Sequence, residues 1–191
     1  GLLADARPLV NPAGDDDPDG ADPELLPRLA VDAVRAHPAV LADVLADALS
    51  TRAAVPSRLT RALRADPVVD LKAAVLTPAV KLARWAALRA GVTAAGTDER
   101  LVRAADPDVL PADTWESLRE AVRAAARIRW DVRLRSGGGD AGDDGPGTDA
   151  VPLSALTSAE RAALRAAARE IAGAQRTLDY LRSAGQLGGP S

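Results

Sequence analysis

Two helical patterns, separated by a segment with almost nothing to bury, set the strongest limit on the fold of this chain. Over residues 113–135, Leu118, Val122, Ala125, Ile128 and Val132 recur at helical spacing. From Thr157 onward, Leu164, Ala168, Ile171, Leu178 and Leu181 do the same at coiled-coil-like spacing. Between them, SGGGDAGDDGPGTDA (136–150) is rich in Gly, Asp and Pro and is expected to be a flexible loop. Two long amphipathic helices joined in this way bury their stripes by folding back as an antiparallel pair at the centre of a bundle. Both open with capping-box spacing, Asp113-x-x-Glu116 and Thr157-x-x-Glu160.

The rest of the chain fits around that pair. From Glu24, a helical pattern carries Leu25, Leu26, Leu29, Ala33 and Val34 up to His37-Pro38, where proline ends it. A second helix carries Val40, Leu41, Val44, Leu45, Ala48 and Leu49. Residues 52–72 contain Pro56, Pro67 and the short β-rich run Val68-Val69-Asp70-Leu71-Lys72, so they read as a connection with extended character near residue 70. Thr77-Pro78 has the form of a helix start, and Gly91 supplies the stop after Ala90. The inward face of that helix is expected to hold Leu82, Trp85, Ala86 and Leu88. Thr97-Asp98-Glu99 opens a further short helix with its acids at the favourable end of the dipole. Residues 1–10 (GLLADARPLV) read as a short strand, and 11–23 as an acidic linker in which Asp15, Asp16 and Asp17 form a solvated loop rather than a metal site. The expected class is therefore all-α: a helical bundle with long antiparallel helices and a short N-terminal strand remnant. The divisions are 1–10, the linker 11–23, a helical connection 24–67, a bundle 68–185 and a tail 186–191.

Composition excludes several kinds of chemistry. Hydrophobic residues make up 47% of the chain, but much of this is Ala, so Leu and Val must carry the core, helped by Trp85, Trp115, Trp130 and Tyr180. No Cys is present, which removes disulfides, zinc–thiolate sites and thiol nucleophiles and fits a reducing, cytoplasmic setting. There is no long apolar run and no signal-like N-terminus, so no membrane span is expected. A net charge of −3 argues against bulk electrostatic attraction to nucleic acid. The absence of Met leads us to expect a piece of a longer protein.

Catalytic constellations are scarce. The single His, His37, sits before a proline at a helix end and suits a cap or surface role. Gly137-Gly138-Gly139 lacks the preceding strand and the following GK[ST] of a phosphate loop. The pair Asp98-Glu99 has no apolar surroundings to retune it for acid–base work. Arg119, Arg123, Arg127 and Arg133 on the long helix fit either a solvated face with intrahelical pairs or a surface for phosphate or an acidic protein.

Against this background, residues 70–101 stand out. DLK at Asp70–Lys72, LTPAVKLARWAALRAGV, and TDERL at Thr97–Leu101 resemble the nucleotidyltransferase substrate-binding domain. That domain closes bacterial proteins with cyclic-nucleotide-binding or CBS domains and a nucleotidyltransferase domain similar to PII-protein uridylyltransferases. The matching positions are Asp70, Lys72, Arg84, Leu88, Arg89, Gly91, Thr97, Arg100 and Leu101, and the similarity spans roughly residues 68–183. Asp5 and Arg7 in LLADARPLV also resemble the strand that ends the family's catalytic domain. One departure is Arg127-Ile128-Arg129-Trp130-Asp131, where relatives often read R-L-R-H-Q.

The resemblance implies a parent enzyme that uses Mg²⁺ and a nucleoside triphosphate. Its Gly-Ser and Asp-x-Asp motifs would lie before residue 1, so this piece alone is expected to be inactive. It would form a wall of the cleft for nucleotide and acceptor, the acceptor often being a protein side chain in the related uridylyltransferases. The implied substrate-binding candidates are Lys72, Arg84, Arg89, Arg100 and Arg129, with Asp70 and Thr97 as positioning groups. Implied partners are the upstream catalytic and sensor domains of the same chain, and a homodimer remains open. The competing readings are a regulatory protein-interaction bundle and, less favoured, a nucleic-acid-binding domain using the arginines of 119–135. Convergence of Lys72, Arg84, Arg89 and Arg100 on one concave surface would favour the cleft wall.

Overall fold

The computed structural model describes residues 25–56, 66–135 and 149–187. Six α-helices occur among them: α1 (Leu25–Ala36), α2 (Pro38–Ser50), α3 (Thr77–Ala90), α4 (Thr97–Arg103), α5 (Ala112–Arg135) and α6 (Ser158–Ser183). Two three-residue strands, β1 (Val68–Asp70) and β2 (Ala150–Pro152), pair antiparallel with Val69 opposite Val151. The expected strand at 1–10, the linker 11–23 and the glycine run at 137–139 lie outside the described residues.

The architecture is the expected helical bundle. Arg135, the last residue of α5, meets Glu160 in the first turn of α6 at 2.9 Å, so the two long helices run antiparallel. The predicted stripe of α5 is buried at Leu118, Val122, Ala125, Ile128 and Val132. On α6, Leu164, Ala168, Ile171 and Leu178 are buried and Leu181 is half-buried. The capping box at Thr157 forms: Thr157 Oγ1 accepts from the Glu160 amide, and the Glu160 carboxylate accepts from the Thr157 amide. At the start of α5 it does not. That helix begins at Ala112, Asp113 accepts from Thr114 N, and the Glu116 carboxylate is taken by Arg119 at 2.6 Å.

Around this pair, α3 lies at the centre of the smaller helices, with α2, α4 and α1 packed on it. Buried Ala79, Ala83 and Ala86 on α3 and Ala121 and Ala125 on α5 let backbones approach, so the alanines shape the packing while leucines fill it. Gln175 of α6 is fully buried and satisfied. Its Nε2 donates to Ala48 O and Thr51 O at 2.9 and 2.7 Å, and its Oε1 accepts from Ala53 N at 3.3 Å. This one side chain ties the end of α2 to α6.

Four expectations need correction. On α1 the buried face is Ala30, Val31 and Val34, while Leu25 and Leu29 are about half exposed and Ala33 is exposed. That helix is apolar on two sides, and the side facing α3 is the one buried. Trp85 and Trp115 are core residues, but Trp130 and Tyr180 are 61% and 69% exposed. The extended stretch expected over Val68–Lys72 stops at Asp70, and the path is helical from Leu71 through a π-helical turn at Lys72–Leu76. So α3 begins at Thr77 with Pro78 in its first turn as expected, but Thr77 follows helical Leu76 and does not cap it. Finally, the last two residues of the expected loop 136–150 are not loop-like, because Asp149 is buried and Ala150 begins β2, while 136–148 lie outside the described residues.

Candidate functional site

The C-terminal end of α3 builds the first cluster. Arg84, Ala87 and Leu88 share one face of that helix by their spacing. Gly91 then takes φ +69°, and Val92 N donates to Ala87 O, which turns the chain sharply. A side chain at Gly91 would be strained at that φ, and its Cβ would fall 2.7 Å from an Arg35 guanidinium nitrogen. The turn leads through Thr93 and Ala94 to α4, which presents Arg100. Arg84 and Arg100 therefore line the same small pocket, open to solvent, together with Leu88, Thr93, Ala94 and Pro27 from α1.

Burial and like charge act together on these two cations. Arg100 is 5% exposed, and its Nε donates to Ala94 O at 2.8 Å, which fixes the guanidinium plane. Burial holds its pKa below the usual arginine value. The Arg84 pKa is also lowered, first by burial and then by the charge of Arg100. Nearby carbonyl oxygens at the helix end favour positive charge there and offset part of the repulsion.

The second cluster gathers around Asp149. Arg129 of α5 makes a two-pronged contact with its carboxylate at 2.7 and 2.8 Å, and Arg133 approaches to 3.4 Å. These groups, with more distant Lys72, hold the Asp149 carboxyl below its usual pKa, the Arg129 hydrogen bond being the largest cause. Asp149 O also accepts from Leu71 N at 2.9 Å. Asp70 is next to this contact and acts as a helix cap, its Oδ1 accepting from Ala73 N at 2.8 Å. Asp70, Lys72 and Arg129 are thus neighbours of one structural ion pair.

Arg89 points elsewhere. It pairs with Asp106 at 2.6 Å, and Asp106 O accepts from Trp115 Nε1 at 3.0 Å, so this contact clips α3 to the start of α5. Thr97 is the first residue of α4, behind Gly96 at the cap position, and its side chain makes no capping bond. Of the four cations whose convergence would favour a cleft wall, Arg84 and Arg100 meet and Lys72 and Arg89 lie apart. Asp149 escaped the sequence reading because it sits at the end of a glycine- and aspartate-rich run. The apolar Val151 just beyond it was the available signal that packing resumes there.

Asp98, the other acid singled out in the sequence, is paired with Arg123 and Arg119 of α5, and the Arg123 hydrogen bond is the chief cause of its lowered pKa. Among the described residues no group of three or more His, Asp or Glu side chains is placed to hold a metal ion. No described helix is long and apolar enough to cross a membrane.

The model of one protein family, described as "Putative nucleotidyltransferase substrate binding domain", matches residues 38–181. No curated protein and no solved structure matches the chain.

Proposed function

The chain belongs to that nucleotidyltransferase substrate-binding family, and from this premise we propose that the Arg84–Arg100 pocket holds an anionic group of the substrate, a nucleotide phosphate. The observation that carries the reading is the placement of two half-buried or buried guanidinium groups on one small solvent-open pocket. Two guanidinium groups brought side by side concentrate positive charge on one pocket wall, which a phosphate complements through charge-assisted hydrogen bonds. Arginine suits this task because its planar donors match phosphate oxygens in pairs.

In the longer protein that the sequence resemblance implies, a catalytic domain similar to PII-protein uridylyltransferases would face this pocket. The bundle would then form one wall of the cleft and orient nucleotide against acceptor, with upstream sensor domains acting through the catalytic domain. The described residues do not fit a Mg²⁺ site, since no three carboxylate or imidazole groups among them converge.

Calorimetric titration of the chain with UTP and ATP, each with Mg²⁺, tests the reading. Binding should weaken roughly tenfold to a hundredfold in Arg84→Ala, the effect of removing a charge-assisted hydrogen bond. Arg84→Lys should recover only part of it, because the paired donors are lost. Arg89→Ala should leave binding intact while lowering stability, since its partner is Asp106. Equal loss in Arg84→Ala and Arg89→Ala would point to general destabilisation and count against the pocket.

A further inference from the structure

The outer face of α5 carries charge in an order that is complementary to itself when reversed. Glu116, Glu120, Arg123, Arg127, Trp130 and Leu134 recur every three or four residues, and all six are exposed. The acids occupy the N-terminal half of this stripe and the arginines the C-terminal half, with Trp130 and Leu134 beyond them at 61% and 71% exposure. Trp130 and Leu134, one turn apart, together form an exposed apolar patch at the C-terminal end of the stripe. Glu120 and Arg127 make no ion pair among the described residues, and Glu116 and Arg123 remain about half exposed despite their pairs with Arg119 and Asp98.

We propose that a second copy of this chain docks here, its α5 antiparallel to the first about a dyad between residues 121 and 122. That operation sets Glu120 opposite Arg123 of the other copy and Glu116 opposite Arg127, twice each. It also sets Trp130 opposite the exposed Asp113, in the first turn of the other copy's α5. The helix has 24 residues, about 36 Å, so the whole stripe fits within one helix-to-helix contact. The unlike charges fix direction and register, and burial of Trp130 supplies apolar area.

Sedimentation equilibrium on the full chain tests this through two charge variants. Arg123→Glu with Arg127→Glu makes the stripe wholly acidic, and Glu116→Arg with Glu120→Arg makes it wholly basic. The wild type should be dimeric at micromolar concentrations, each double variant alone should dissociate at least roughly tenfold more readily, and an equal mixture of the two should re-form dimers. Trp130→Asp, at an exposed position that the fold does not need, should also dissociate. A wild type that stays monomeric at hundreds of micromolar, or double variants that dimerise as well alone as when mixed, would overturn the proposal.

Discussion

Asp149 shows how one side chain can fasten the start of a strand to a long helix, α5. Its carboxylate is 8% exposed and held by Arg129 and Arg133, while its carbonyl accepts from the backbone at the start of the π-helical turn. Asp149→Asn should cost about 2 kcal/mol in urea unfolding at neutral pH, the range of a hydrogen bond to a charged group. The pH dependence follows from the lowered carboxyl pKa. A depressed carboxyl stabilises the fold above the ordinary aspartate value, about 3.9, and that contribution is lost as pH falls through the folded-state value. Unfolding followed between pH 6 and pH 2.5 should therefore show a smaller acid-side loss in Asp149→Asn than in the wild type. At this scale the sequence was legible by residue type and not always by place. Trp85 and Trp115 face the core, whereas Trp130 and Tyr180 have the same apolar character on outward faces, which aromatic content alone does not reveal.

Among the elements, legibility followed how one-sided each pattern was. The α5 stripe has apolar residues on one side and charge on the other, so its inward face could be read directly. The first helix has leucines on one side and Ala30, Val31 and Val34 on another, and only its neighbour α3 decides between them. The π-helical turn before α3 leaves no periodicity signal, so Thr77-Pro78 marks where the α-helix begins without showing that the path is already helical from Leu71. Gln175 was also invisible, because a polar residue on an apolar face gives no hint of which backbone groups it will meet. It holds α2 to α6, so Gln175→Leu should cost about 3 kcal/mol by stranding two carbonyls and an amide. Thr157→Ala, which removes half of the capping box, should cost about 1 kcal/mol. Thermal unfolding of both variants separates the two effects by size.

For the molecule as a whole, the family match covers residues 38–181 and so takes in α2, which the motif resemblance at 68–183 left aside. The structure gives the reason, since α2 packs on α3 and is tied to α6 through Gln175. The motif residues of that resemblance separate in space into the Arg84–Arg100 pocket, the Asp149 contact and the Arg89–Asp106 clip. Short spacing along a chain does not say which side of a helix a residue occupies relative to its neighbours. Arg84 and Arg89 are five residues apart on α3, which turns them well away from each other. The central claim, that Arg84 and Arg100 act together on a substrate phosphate, is tested most directly by NMR of the arginine Nε–Hε groups during titration with UTP and Mg²⁺. The account predicts that the Arg84 and Arg100 resonances shift together and saturate with one affinity, while Arg89 and Arg129, held by Asp106 and Asp149, stay in place. Movement of Arg129 with Arg84 and Arg100 unchanged, or no movement at millimolar nucleotide, would contradict it.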